Sequence, residues 1–586
     1  MRRLAPLLLC ALVALAGCAA IPDELPAKSV GQSEGGAPHT APVAEPEPNL
    51  PPYDLVRDFI QYSGNPENDY AAGKPYLTKA AQAKWQPSTT VTIIQDTFST
   101  RYDSEVTNDP TKNNHTSVVV SAQRIGRLGG DKSFVPESGA NDISIPLEKQ
   151  ADGQWRISSP PAGVIITLSK FTEIYRQVRL YFLDPQKRVL VPDLRYVASQ
   201  PANGVPGRII DLLLGGPSDG LQEAVTSALA SSAALRTSAV ETTDGALLVN
   251  LTKPGDTSQG NAKLIVAQIV QSLQNSTNSR IRIQVDGTSL TPDHPDWRLS
   301  DLPAYDSGTS PGPDLPGMVV LDGRVRLLDG KPIAGLAGSG DYGVVSAGQS
   351  IDGGGLALVT KPSADSAQLR VGDLNQQSLV ADLTAGSLTR PTWLSTNSAN
   401  DTSNEVWTVA DGNRVVRVVR SANGSWGART VNSADLSQFG QITALRLSRD
   451  GVRVAMVADG KLVVGSVVRS ANSDAVAIRA PRLLQPNGLS DVVGVDWLSA
   501  EQLAVATSTQ SSPVVQLEVD GGPVGYNRYN PANLTAPMTA LTAAPSRPVI
   551  TVDSGGMWAS SDVGSVWRPH TVNVGHNSTA VPFYPG

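Results

Sequence analysis

Residues 442–468 read ITALRLSRDGVRVAMVADGKLVVGSVV, and the fold of the C-terminal half turns on them. An apolar-anchored run ends at Leu447, a polar turn around Asp450-Gly451 follows, and a Val/Ala-rich run leads through Asp459-Gly460 into a third run. Asp-Gly between short apolar runs is the signature of a tight hairpin. Comparable units recur at 390–420, 492–521 and 538–561, and an earlier one begins near Asp341. The anchors Trp393, Leu447, Trp497 and Leu541 stand roughly 45–55 residues apart, the period of four-stranded propeller blades. Residues 318–580 are therefore expected to form an all-β propeller of five or six blades. The opening run GMVVLDGRVRLLDG, residues 317–330, is expected to pair with the last blade, because ring closure removes exposed sheet edges.

Just before that run, residues 302–317 (LPAYDSGTSPGPDLPG) carry Pro, Gly and Ser at the density of a linker. Before it, residues 173–301 read β-β-α-β-β-α-β. VRLYFLD alternates as a strand and VLVPDLRYV follows as its hairpin partner. GVPGRIIDLLLGGP reads as a helix with Pro206 near its start and Gly215-Gly216-Pro217 at its stop, its apolar face formed by Ile209, Ile210, Leu213 and Leu214. TSAVETTDGALLVNLT turns at Asp244-Gly245, AKLIVAQIVQSLQ puts Ile265, Ile269 and Leu273 on one stripe, and RIRIQVDG closes the segment. The helices are expected to cover one face of a small sheet. Residues 51–167 place two helices first, with Tyr53, Val56, Phe59 and Ile60 at helical spacing and then YLTKAAQAKW. Strand-like runs TTVTIIQDTF, TSVVVSAQRI, NDISIPLEK and QWRISS follow, with Asp152-Gly153 as a hairpin turn, an α+β order.

The chain begins MRRLAPLLLCALVALAGCAA. Arg2-Arg3, an apolar run of about 11 residues and then small residues read as an export signal over residues 1–17; a bilayer-spanning helix needs ~20. The two cysteines are Cys10 and Cys18. Cleavage between Gly17 and Cys18 leaves a single thiol, at the first mature position, and no intramolecular disulfide. Leu15-Ala16-Gly17-Cys18 resembles the bacterial lipobox, which implies S-diacylglycerol and N-acyl attachment at Cys18 and durable anchoring. Residues 18–50, rich in Pro, Ala, Glu and Gly, are expected to form a disordered tether. The folded part is expected on the outer face of the plasma membrane, held there by its lipid.

A length of 586 residues exceeds one core, so several domains are expected. A net charge of −7 argues against nucleic acid and offers no attraction to an anionic lipid surface. The five histidines, His39, His115, His294, His570 and His576, are scattered, with neither HExxH nor zinc spacing. Residues 308–312, GTSPG, match GxSxG but lie in a Pro/Gly linker, not between a strand and a helix. GLAGSG at 335–340 has no βαβ unit around it. Asp293 and Asp296 beside His294 read as a solvated turn in preference to a metal clip. No catalytic residue, metal ligand or cofactor is expected. Arg195 is the one charged residue of note, and it is expected to pair with a local carboxylate on the surface.

Residues 51–167 resemble an NTF2-like cone, whose last hairpin often reads like DGQWRIS. YFLD, Leu-Val-Pro, Arg195-Tyr196-Val197, LLLGGPSDGL, VNLT, AQIVQSL and IQVDG together resemble the GerMN domain, which implies an interaction or envelope-binding module with no accepted catalytic set. In the order lipobox, tether, cone, GerMN and propeller, the chain resembles the LpqB lipoprotein family of actinobacteria. That resemblance implies a non-enzymatic accessory factor. It would engage the extracellular sensor region of the MtrB histidine kinase and, through MtrA phosphorylation, influence cell division and envelope homeostasis. The alternative is a binder of cell-wall glycan or a propeller-based hydrolase, with Trp393, Trp407, Trp426, Trp497, Trp558 and Trp567 lining a central funnel; as blade anchors, these residues are core instead.

Overall fold

The spacing of Leu55, Val56, Phe59 and Ile60 gives the helix Pro52–Tyr62 one buried face, and Pro52 at its first position sacrifices no hydrogen bond. Tyr53 lies off that face, exposed, with its ring edge-on to Tyr102. The computed structural model describes residues 45–103, 113–305, 310–374, 380–395, 403–470, 472–572, 574–575 and 579–586. Gly17, Cys18, the export signal and the tether up to residue 44 lie outside the described residues, as do His39, His576, Gly308 and Thr309. Thr78 caps the helix Lys79–Lys84, its hydroxyl accepting from the Ala81 amide at 3.1 Å. Strands Val91–Tyr102, His115–Leu128, Phe134–Lys149 and Trp155–Ile157 pair antiparallel in sequence order, and Gly153 takes φ +83° in the last hairpin. A fifth strand, Val164–Thr167, pairs in parallel with residues 91–94. Its four consecutive buried residues show no alternation, so a period-two reading passes over it. Phe59, Trp85, Phe134 and Phe171 fill the interior.

Residues 175–301 hold two sheets, a correction to the single sheet expected. Strands Tyr175–Leu183 and Leu190–Ala198 form a hairpin of their own, while Ala246–Thr252 and Arg280–Val285 pair in parallel in a second sheet. The helix Gln259–Leu273 packs on the hairpin and is buried well beyond one stripe, including Val266, Ala267, Gln268 and Val270. Its polar side chains serve the strand's backbone: Gln268 Nε2 donates to Tyr181 O at 3.0 Å, and Ser272 Oγ accepts from Tyr181 N at 2.9 Å. Side chains thus satisfy backbone groups that a neighbouring strand would otherwise meet.

From Met318 onward the described residues form five antiparallel four-stranded sheets and one of three strands. The first strands of the five, Val344–Gln349, Thr392–Trp393, Ile442–Leu447, Val492–Trp497 and Ala540–Thr542, pack side by side in a ring. Strand Val581–Phe583 completes that ring between the first and the last of them. Met318–Leu321 pairs with Arg324–Leu327 and with Val581–Phe583, so the opening run closes on the chain's final strand and not on the last four-stranded sheet. The anchors Trp393, Leu447, Trp497 and Leu541 all fall on the ring strands. Each indole bridges to the sheet before it: Trp393 Nε1 donates to Gly348 O at 2.9 Å and Trp497 Nε1 to Arg446 O at 3.1 Å.

Candidate functional site

Five of the six tryptophans that could line a glycan funnel are buried in the core. Trp393, Trp407, Trp497 and Trp567 are at most 1% exposed, Trp426 is buried and Trp558 half-buried. Asp296 accepts two bonds from Arg282, at 2.7 and 2.9 Å, and Asp244 accepts from Arg280 and Arg282, so this region is an ion-pair ladder on a strand. His294 rests on the Trp297 ring, with centroids 4.2 Å apart. Among the described residues, no group of three or more His, Cys, Asp or Glu is placed to hold a metal ion. No helix among them is long and apolar enough to cross a membrane.

Arg195 pairs with a local carboxylate, Asp193, but in the interior, 1% exposed, which corrects the surface placement expected. Its guanidinium binds Asp193 Oδ2 through Nε at 3.1 Å and Nη2 at 2.7 Å, and also donates to the carbonyls of Asp131 and, at 3.0 Å, Gly216. Asp193 additionally accepts from the amide and hydroxyl of Ser218, at 2.8 and 2.9 Å. One fork therefore clasps the 129–134 turn of the first domain to the 190–198 strand and to the segment after the helix Val205–Leu214. Next to it, Tyr196 packs its ring against Phe134 of the first domain and Phe171 of the helix Leu168–Ile174 that follows it. Its hydroxyl lies 3.2 Å from Asp520 of the propeller. Arg453 donates to Pro192 O, and Arg179 to Glu501 at 2.7 Å. Three domains meet here through bonded, mostly buried polar groups, flanked by grooves of about 590 and 530 Å³.

The approach is close. A Cβ on Gly522 would stand 2.5 Å from the Tyr196 hydroxyl, whose ring is fully buried and cannot retreat. Gly522→Ala is expected to lower stability by about 1–3 kcal/mol in chemical denaturation; an unchanged midpoint would contradict the contact.

A second polar cluster sits where the ring strands converge. Asp496 accepts from Arg390 at 2.8 Å, Arg446 at 3.4 Å, Thr542 Oγ1 at 2.9 Å and the Ala543 amide at 3.2 Å. Arg446 also donates to Pro391 O and Gly586 O, and Arg449 to Trp497 O, Ala543 O and Pro585 O. Burial alone would push the Asp496 carboxyl up, but Arg446, Arg390 and Arg449 together hold it well below the ordinary carboxylate range. Burial, reinforced by Arg390, pushes Arg446 down to about 9. Apart from the unbonded Nε of Arg390 and of Arg449, these donors go to backbone carbonyls and one carboxylate, which binds the sheets together.

A protein of Nocardia farcinica (strain IFM 10152) described as Lipoprotein LpqB is 30% identical over 621 residues, covering 99% of this chain and 97% of that one. The chain belongs to the LpqB lipoprotein family. The descriptions "Lipoprotein LpqB, N-terminal domain", "Sporulation and spore germination" and "Lipoprotein LpqB beta-propeller domain" match residues 45–172, 179–291 and 324–585. A further LpqB lipoprotein, from Rhodococcus jostii (strain RHA1), is 28% identical over 557 residues, 92% of this chain and 90% of that one. Among solved structures, a nidogen/laminin complex matches 45% of this chain and 96% of its own at 10% identity, with a TM-score of 0.32. In this LpqB-family chain, neither the domain junction nor the axial cluster, the polar cluster where the ring strands converge, is legible in the sequence.

Proposed function

We propose that this chain is a non-enzymatic accessory binding protein, held on the outer face of the plasma membrane by acylated Cys18. In this reading it engages the extracellular sensor region of an MtrB-like histidine kinase and through it modulates cell division and envelope homeostasis. The first domain, 51–167, is read as an NTF2-like cone with a filled interior, 173–301 as the GerMN domain, 302–317 as a linker and the ringed sheets as six blades. The observation that carries the proposal is the junction: its buried polar groups bond one domain to another, so three modules present one fixed composite surface. Preorganisation of that kind lowers the ordering cost of docking. That its relatives from Nocardia farcinica and Rhodococcus jostii are described as lipoproteins supports the anchor.

The detergent-solubilised full chain is expected to co-elute with the sensor domain of such a kinase; two folded partners that elute apart would overturn the reading. Cys18→Ala is expected to move the protein from the membrane to the soluble fraction while leaving that binding intact. Continued membrane retention would contradict the anchor alone.

A further inference from the structure

Glu518 ends the strand Val514–Glu518, and Asp520 lies two residues on, in the turn that reaches the 175–198 hairpin. Both are withdrawn from solvent, at 3% and 8% exposure. From the hairpin, Gln177, Arg179 and Tyr196 face them. Gln177 Nε2 is within bonding reach of Glu518 Oε2, of Asp520 Oδ2 at 3.5 Å and of the Tyr196 hydroxyl at 3.2 Å. An amide nitrogen has two hydrogens for these three oxygens. Arg179 is engaged by Glu501 at 2.7 Å and stands 3.8 Å from Glu518. From the strand Val476–Leu484 comes Arg482, the cation that acts on Asp520; Asp193, Arg453 and Arg482 line a cavity of about 60 Å³ with it. Three carboxylates, Glu501, Glu518 and Asp520, thus share two guanidiniums, one of them already committed.

We propose that Glu518 and Asp520 form a proton-operated latch between the 175–301 domain and the propeller, closed while a proton is held on the pair and loosened when both groups ionise. Burial, then repulsion from Asp520, pushes Glu518 up to about 7. Burial pushes Asp520 up to about 6 against the bonds from Gly522, Tyr196 and Gln177. Burial and the Asp520 charge push the Tyr196 phenol well up, so it stays a donor throughout. Both carboxyls lie above the ~4 of an opened, solvated junction, so the closed junction binds more protons. Its stabilisation is complete below about pH 4 and is lost as pH rises through 6 to 7.

Amide hydrogen exchange on the full chain tests this between pH 5.5 and 8.5, after correction for the intrinsic pH dependence of exchange. Protection of residues 175–183 and 514–522 is expected to fall about tenfold or more at the higher pH, and Glu518→Gln/Asp520→Asn is expected to hold it at one level. Equal protection at both pH values in the natural chain, or the same fall in the double variant, would overturn the latch. Where the double variant fails to fold, Glu518→Gln alone is read the same way. Infrared spectra of the natural chain add a second readout: a protonated carboxyl band present at pH 6 and gone by about pH 8.5 supports the latch, and its absence at pH 6 overturns it.

Discussion

Replacing Asp496 with alanine is expected to destabilise the propeller by about 3–5 kcal/mol, read as a lower midpoint in chemical denaturation. Asp496 is the carboxylate that Arg390 and Arg446 both contact, at 14% and 4% side-chain exposure. Without it, those guanidiniums and Arg449 remain in a low-dielectric interior with only carbonyl dipoles to face, and Arg390 and Arg449 already carry an unbonded Nε. The hydroxyl of Thr542 and the amide of Ala543 lose an acceptor as well. Because Thr542 Oγ1 accepts from the Tyr584 amide at 3.0 Å, the damage extends to the strand that closes the ring. Asp496→Asn keeps an acceptor for Thr542 but drops the charge, so a smaller loss is expected. The pH signature is opposite to that of the junction. A carboxyl held low contributes stability that is complete above its unfolded value near 4 and is lost as pH falls below it. Asp496 should therefore add no slope between pH 5 and 8, where Glu518 and Asp520 act. An alanine variant that unfolds with the natural chain would sink the axial-cluster account.

What sequence reading reached and what it missed divide along the distance between partners. Trp393, Leu447, Trp497 and Leu541 repeat at blade spacing, and a repeat is visible from one chain because each unit restates the same local problem. The Asp244-Gly245 and Asp152-Gly153 turns are legible for the same reason: both halves of a hairpin are adjacent. In the sequence, Arg446 and Asp496 are only charges within the apolar runs ITALRL and VVGVDW. Their pairing lies 50 residues apart, across two sheets, and no local pattern encodes it. Gln177 and Glu518 are separated by 341 residues. The local half of the Arg195 clasp, Asp193, is within reach of a sequence argument. Its burial is not, because the Asp131 and Gly216 carbonyls come from a different domain and from beyond a helix. The 175–198 hairpin is legible because its two strands are adjacent in the chain, but its separation from the second sheet is not, since alternation identifies strands and not which further neighbour they choose.

Arg195→Met carries the other large expectation, a loss of about 3–5 kcal/mol with the domains coming apart earlier than in the natural chain. Methionine keeps much of the length and apolar contact of arginine and removes the fork. Asp193 would then sit buried with only Ser218 to meet its charge, and the Asp131 and Gly216 carbonyls would lose their donor. Lysine cannot bind one carboxylate oxygen through two nitrogens while reaching two carbonyls, so Arg195→Lys should recover only part of the loss. The decisive comparison is a double variant. If most of the penalty is an uncompensated carboxylate, Arg195→Met/Asp193→Asn should be more stable than Arg195→Met alone, a positive coupling that a merely steric role would not produce. Limited proteolysis between the first and second domains should rise in Arg195→Met and fall back in the double variant. Equal denaturation midpoints for Arg195→Met and the natural chain would mean that the clasp does not hold the junction. The fixed composite surface proposed for kinase docking would then lose its physical basis, whereas a weakened clasp with weakened kinase binding would tie the two together through residues that need not touch the partner.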